Sequence, residues 1–240
     1  MRLEDCTSPE LERLLARSPV ALWPVGAVEP HGPHAPLGTD TLISETMCER
    51  AVAVLEEEGV AAAVLPPLPF GVTRFGAGFA GAVGIDAATL KAVVTGVNAS
   101  VLEQGFRRLV IVNNHFEPGQ VRALREAAAE TGALHLDLVR RANAERLTDE
   151  FRRGSCHAGR YETSLVLARR PELVDADALA GLPAVDVDMP AAMSAGHDDF
   201  RAMGMDRAYC GAPAEATAAE GEQTFATLTR LLVELVREQA

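Results

Sequence analysis

The chain has 240 residues, 48% of them hydrophobic and 23% charged, with a net charge of −12; this is enough for one domain with a full core and fits a soluble globular chain. The acidic balance argues against a nucleic-acid partner, which needs a basic face. No apolar run nears the roughly 20 residues that span a bilayer and no secretory apolar segment is visible near the N-terminus, so no membrane partner is expected; the scattered Cys6, Cys48, Cys156 and Cys210 are expected as reduced thiols in the cytoplasm.

The predicted elements alternate. A helix is expected over 8–18, with Ser8 as N-cap and Pro9 at its first position. A buried strand follows at 19–26, then a helix at 39–59 that stops at Gly59. A short strand at 60–68 leads into a glycine-rich loop, "FGVTRFGAGFAGAVG", at 70–84. A capped helix at 86–105 precedes "RRLVIVNN" (107–114), the clearest buried strand of the chain. A helix at 118–132, a strand at 133–139, a helix at 161–170 and a last helix within 214–238 complete the pattern. Residues 171–213, with Pro, Asp and Gly, read as loops. This order implies an α/β domain over 1–240, with a mostly parallel sheet covered by helices on both faces.

In such sheets ligands bind outside the carboxyl ends of the strands. Two polar clusters fall there. "WPVGAVEPHGPHAPLGTD" (23–40) places Glu29 and His31 after the first strand, and "NNHFEPG" places His115 and Glu117 after the third. Residues i and i+2 of an extended segment point the same way, so each pair is a two-toothed arm. Asp40 starts the next helix. Three carboxylates and two imidazoles suit Zn²⁺, Mn²⁺ or Fe²⁺ better than Ca²⁺ or Mg²⁺. The number of ligands suggests two divalent ions, with a carboxylate such as Asp40 between them. Two such ions against three carboxylates leave a net positive site, which a hydroxide, the nucleophile of a hydrolase, would offset.

"PVGAVEPHGPHAPLGTD" closely resembles the signature of the creatininase (creatinine amidohydrolase) family. Four further segments are similar to family motifs in the same order: the glycine-rich loop, "LVIVNNHFEPGQ", "HAGRYETSLVLA" and "GAPAEATAAEGEQTF". The resemblance implies a three-layer α/β/α fold, a two-metal centre, hydrolysis of a non-peptide C–N bond (an amide or cyclic amide) in a small-molecule substrate, and a homo-oligomer, often a hexamer. It implies that Glu29 and His115 bind one ion, that His31 and Glu117 bind the other, and that Asp40 bridges. It makes His157 the general acid/base, with Glu162 orienting it or completing an outer metal shell. Phe116, between His115 and Glu117, is the expected substrate contact.

Departures bear on the substrate. Creatinine hydrolases place tryptophans near the catalytic histidine, whereas the single Trp of this chain, Trp23, lies in the first strand. The matching region offers Arg152 and Arg153 instead, which suit an anionic group if they face the pocket and are otherwise solvated surface. The family's F-P-G-T reads Phe79-Ala80-Gly81-Ala82 here. Ring-opening of a cyclic amide, deformylation of a formamido-pyrimidine nucleotide and cleavage of a peptide tail all stay open, as does a metal-binding protein without turnover. His34 reads as loop packing, His135 as a core residue, His197 as part of a polar loop and Cys156 as inert.

Overall fold

The computed structural model describes residues 1–239. Four strands form one sheet: β1 (Val20–Val25), β2 (Ala62–Val64), β3 (Arg108–Asn113) and β4 (Leu134–Leu136). They lie in the order β2-β1-β3-β4, and all neighbours are parallel. The longer helices are α1 (Ser8–Leu15), α2 (Thr39–Glu57), α3 (Ala87–Glu103) and α4 (Pro118–Thr131). After β4 come α5 (Arg141–Ala144), α6 (Asp149–Arg153), α7 (Arg160–Arg169), α8 (Ala176–Ala180), α9 (Met189–Ser194) and α10 (Ala218–Glu238).

The alternation of side chains along β1 and β3 divides the core in two. Val20, Leu22, Val110 and Val112 face a layer with α2, α7 and α10. Ala21, Trp23, Val25, Leu109 and Ile111 face the opposite layer, which includes α3 and α4. The result is the three-layer α/β/α arrangement. Gly221 sets one helix spacing: a Cβ there would run into the Ser164 carbonyl, so α10 approaches α7 closely only without a side chain.

Several boundaries differ from the sequence reading. The N-cap of α1 is Thr7, not Ser8: Thr7 and Glu10 form a capping box, which the position of Pro9 alone does not reveal. The helix stops at Leu15, and a left-handed Ser18 (φ 51°) then turns the chain into Pro19 and β1. β2 spans only Ala62–Val64, since Pro66 and Pro67 lack the N–H that would extend the ladder. The segment 171–213 is not all loop. It holds α8 and α9, capped by Asp175 and Asp188 side chains, and both are too short to show helical periodicity.

The topology places the site. From β1 the chain leaves through α2 toward β2, and from β3 it leaves through α4 toward β4 on the other side. β1 and β3 stay paired to their last residues, Val25 and Asn113, and the connections that leave them run to opposite sides, a topological switch point where a crevice opens.

Candidate metal centre

β1 ends at Val25 and Gly26 follows. A Cβ on Gly26 would lie 2.6 Å from the Thr41 amide, so the missing side chain lets the first turn of α2, with Asp40, close against the strand end. Gly32, at φ 65°, then turns the loop back on itself. Here Glu29, His31 and Asp40 are 2%, 0% and 1% exposed. From β3, His115 and Glu117 enter the same crevice, also buried. The segment before α7 adds His157, and the first turn of α7 adds Glu162.

Each imidazole is fixed by one nitrogen. His31 Nδ1 lies 3.0 Å from the Glu29 carbonyl, His115 Nε2 2.6 Å from the Val72 carbonyl and His157 Nε2 3.0 Å from the Pro30 carbonyl. A carbonyl only accepts, so these nitrogens carry the hydrogen and the other nitrogen of each ring presents its lone pair. His115 Nδ1 is 3.1 Å from both Glu29 Oε1 and Asp40 Oδ2. His31 Nε2 is 3.1 Å from Asp40 Oδ1 and 3.5 Å from Glu162 Oε2. His157 Nδ1 is 3.6 Å from Glu29 Oε1. Lone pairs facing carboxylate oxygens repel unless positive charge lies between them. Asp40 Oδ2 is accordingly a buried acceptor without a hydrogen bond.

The donor set therefore fits metal ions. Three groups have ligand atoms within 4.8 Å of one another: Glu29–His115–Glu117, His31–Asp40–Glu162 and Glu29–His31–His157. The two oxygens of Asp40 face different histidines, as a bridging carboxylate requires. One expectation changes here. His31 is grouped with Glu162, not with Glu117, because α7 brings Glu162 in beside Asp40. Glu117 stays on the Glu29–His115 side, its Oε2 held by the Arg74 and Phe75 amides at 2.8 and 3.1 Å. With Glu162 the site has four carboxylates, which two divalent cations would neutralise, so the net positive balance expected from three does not arise.

Without metal, the carboxylates favour a second proton on the metal-facing nitrogens of His31 and His115, a positive charge where a cation would stand. Burial works against the His31 imidazolium, yet Asp40, Glu162 and Glu29 together raise it to about 10. His115 is raised in the same sense against its own burial, chiefly by Glu29 and Asp40. Burial pushes Glu162 up to about 8 and also raises Glu117. His157 goes the other way: burial, with His31 nearby, lowers it to about 4. It is neutral at pH 7, packed between His31 and Phe200 at ring-centroid distances of 4.7 and 4.3 Å.

Around the cluster opens a cavity of about 400 Å³. Phe116 lines it and packs edge-on against Phe151 at 5.3 Å. Arg152 reaches the cavity but is paired with Asp149, and Arg153 is exposed away from it. His34 is buried and bonds Thr163 Oγ1 at 2.9 Å, which ties the loop after β1 to α7. His197 is exposed and His135 lies within β4, both away from the cluster. The Cys156 thiol is pushed well up by burial, which suits a packing residue. Supporting residues escaped the sequence reading. Gln120 holds the Val72 amide at 2.9 Å and Asn113 Oδ1 at 3.1 Å, Thr73 donates to Glu29 Oε2 at 3.1 Å, and Phe200 covers His157. The polar pair "NN" at the end of an apolar strand was a signal for the first of these; nothing in the sequence marked Phe200.

Fold and site together define a three-layer α/β/α protein with a candidate metal centre at the switch point of a parallel sheet. The chain belongs to the creatininase family: the family model described as creatinine amidohydrolase matches residues 4–236. A mycofactocin precursor peptide peptidase of Mycolicibacterium smegmatis is 34% identical over 233 residues, which cover 94% of this chain and 86% of that protein. The creatinine amidohydrolase of Pseudomonas putida is 30% identical over 254 residues, covering 95% of this chain and 92% of that one. Among solved structures, a single-site creatininase mutant superposes with a TM-score of 0.76 at 26% identity, covering 99% of this chain and 98% of that one. A manganese form of creatininase gives 0.74 at 25% identity, covering 99% and 97%.

Proposed function

We propose that the protein is a two-metal amidohydrolase, with Zn²⁺ or Mn²⁺, that cleaves the C–N bond of an extended amide such as a peptide. The observation that carries this reading is the convergence of four buried carboxylates and three imidazoles, each imidazole tethered through one nitrogen and open at the other. Glu29, His115 and Glu117 form one half-site, His31 and Glu162 the other, and Asp40 joins them. Bound divalent ions supply Lewis acidity and make water a stronger acid.

The chain's own groups do the rest. Glu29 is fixed by Thr73, and His115 by Val72, so the half-sites need little reorganisation. His157, neutral and held at Nε2–H, presents Nδ1 to the cluster; that atom can take a proton from the attacking side and return it to the leaving nitrogen. Phe200 and Phe75, whose rings lie 6.1 Å apart, cover this end of the cavity and keep bulk water off.

An extended substrate is supported by the cavity. At about 400 Å³ it is in the range of pockets for drug-sized ligands. No tryptophan lines it, Trp23 being buried in the core with its Nε1–H on the Pro66 carbonyl. The similarity to a precursor peptide peptidase points the same way. A second reading, opening of a small cyclic amide, has the similarity to the Pseudomonas putida creatinine amidohydrolase in its favour. The test is hydrolysis of a panel of short peptides and cyclic amides by the purified protein before and after chelation. Activity on peptides, lost with chelator and restored by Zn²⁺ or Mn²⁺, is expected. Activity that survives complete metal removal would refute the reading, and activity confined to cyclic amides would select the second.

A further inference from the structure

The cavity is electrically lopsided. Its acidic lining residues are Glu29, Asp40, Glu117 and Glu162, all of the candidate metal centre; its basic ones, apart from histidines, are Arg122, Arg125 and Arg152. Pro118, Val121, Arg122 and Arg125 line it from α4 with spacings of three and four, which is one face of a helix. Glu117 is the N-cap of that helix. Arg122 thus stands about 7.5 Å further along the axis than Glu117, at about 1.5 Å per residue.

The three arginines are not equivalent. Arg125 is engaged by Asp137 at 2.7 Å, and Arg152 by Asp149. Among the described residues no carboxylate lies within 4 Å of the Arg122 guanidinium, in a protein of net charge −12. The apolar part of the cavity lining includes Val121, Val139, Phe151 and Met193. A solvated arginine is ordinary on a helix surface. Arg122 is exposed yet lines the cavity, and an unpaired guanidinium at its rim is placed to receive an anion.

We infer that Arg122 anchors a carboxylate at the far end of the substrate, so that the amide cleaved in this site belongs to an acid and not to a neutral compound. The inference rests on the amide-hydrolase reading of the site. With two divalent ions the four carboxylates are neutralised, so the centre itself offers no net charge to hold a distant anion. A guanidinium binds a carboxylate through two parallel hydrogen bonds. A single unpaired arginine matches a monoanion in charge.

The probes are N-acetylated tripeptides with apolar side chains, each as the free acid and as the C-terminal carboxamide. Binding to the zinc-loaded protein is measured by calorimetry, with cleavage followed separately by mass spectrometry. The free acid is expected to bind at least tenfold more tightly than its carboxamide. Arg122→Ala is expected to weaken the acid by about ten- to a hundredfold and leave the carboxamide unchanged; Arg122→Lys restores part of the preference, and Arg125→Ala keeps it. Equal binding of acid and carboxamide, binding of neither, or a preference that survives Arg122→Ala overturns the inference. Cleavage without the preference would remove Arg122 and leave the hydrolase reading in place. The preference without cleavage of these peptides would keep Arg122 and count against the peptide reading, leaving the cyclic-amide reading to its own test.

Discussion

Glu162 is where chain order and three-dimensional placement suggest different roles, and Glu162→Gln separates them. The side chain is buried, its Oε2 accepts the Ala158 amide at 2.6 Å, and the same oxygen is 3.5 Å from His31 Nε2. Glutamine keeps an oxygen for Ala158 and removes only the charge. Without metal, burial holds the acid up to about 8, so at pH 7 the native side chain is already largely protonated and glutamine is close to isosteric with it. Metal-free stability should therefore change by less than about 0.5 kcal/mol, as for an undisruptive substitution. Metal affinity should respond strongly. Loss of an outer-shell partner typically weakens metal binding about 10–100-fold; loss of a direct anionic ligand from the His31–Asp40–Glu162 group should exceed that range. The assay is metal content after equilibration against graded chelator, beside thermal unfolding of the metal-free form. One of two ions lost early, with unchanged metal-free stability, is the expected result. A variant that retains both ions but loses turnover would show that Glu162 only orients His157.

Three further outcomes follow from the same geometry. Asp40→Ala should release more metal than His31→Ala under identical dialysis, because the two Asp40 oxygens face both half-sites; equal loss would make Asp40 peripheral. His157→Ala should keep its metals and lose about 10²–10⁴ in kcat on any substrate the protein hydrolyses, and loss of metal together with activity would make it a ligand. His34 is lowered to about 4 by burial, whereas in the unfolded chain it titrates near its ordinary value of about 6.5. The unfolded form therefore binds a proton that the fold does not, so stability should fall as pH drops from about 6.5 toward 4, by at most about 1.4 kcal/mol per pH unit from this group. Denaturant unfolding of metal-free His34→Gln should show a flatter acid limb than the native chain, and an unchanged limb would contradict the burial argument.

The parts of this protein that chain order reveals are those set by short-range periodicity. β3 was legible because "LVIV" is apolar without a break and buried on both faces. The Glu29/His31 and His115/Glu117 arms were legible because i, i+2 spacing fixes direction wherever the backbone is extended. Glu162 was visible as a residue near His157 but not as a partner of His31, since that contact depends on how α7 docks beside α2. Arg122 looked like any charged position on a helix; only the cavity along α4 and the engagement of Arg125 and Arg152 elsewhere set it apart. β2 ended early at its prolines, and α8 and α9 rest on single aspartate caps with too few residues to show a period.

Whether Asp40 holds two metal ions together is decided by anomalous diffraction from crystals of the zinc- or manganese-loaded protein. Two anomalous peaks per chain are expected, one within about 2.0–2.3 Å of Glu29 and His115 and the other at the same distance from His31 and Glu162, each also contacting one oxygen of Asp40. A single peak, or two peaks of which only one touches Asp40, would rule out a shared Asp40 bridge.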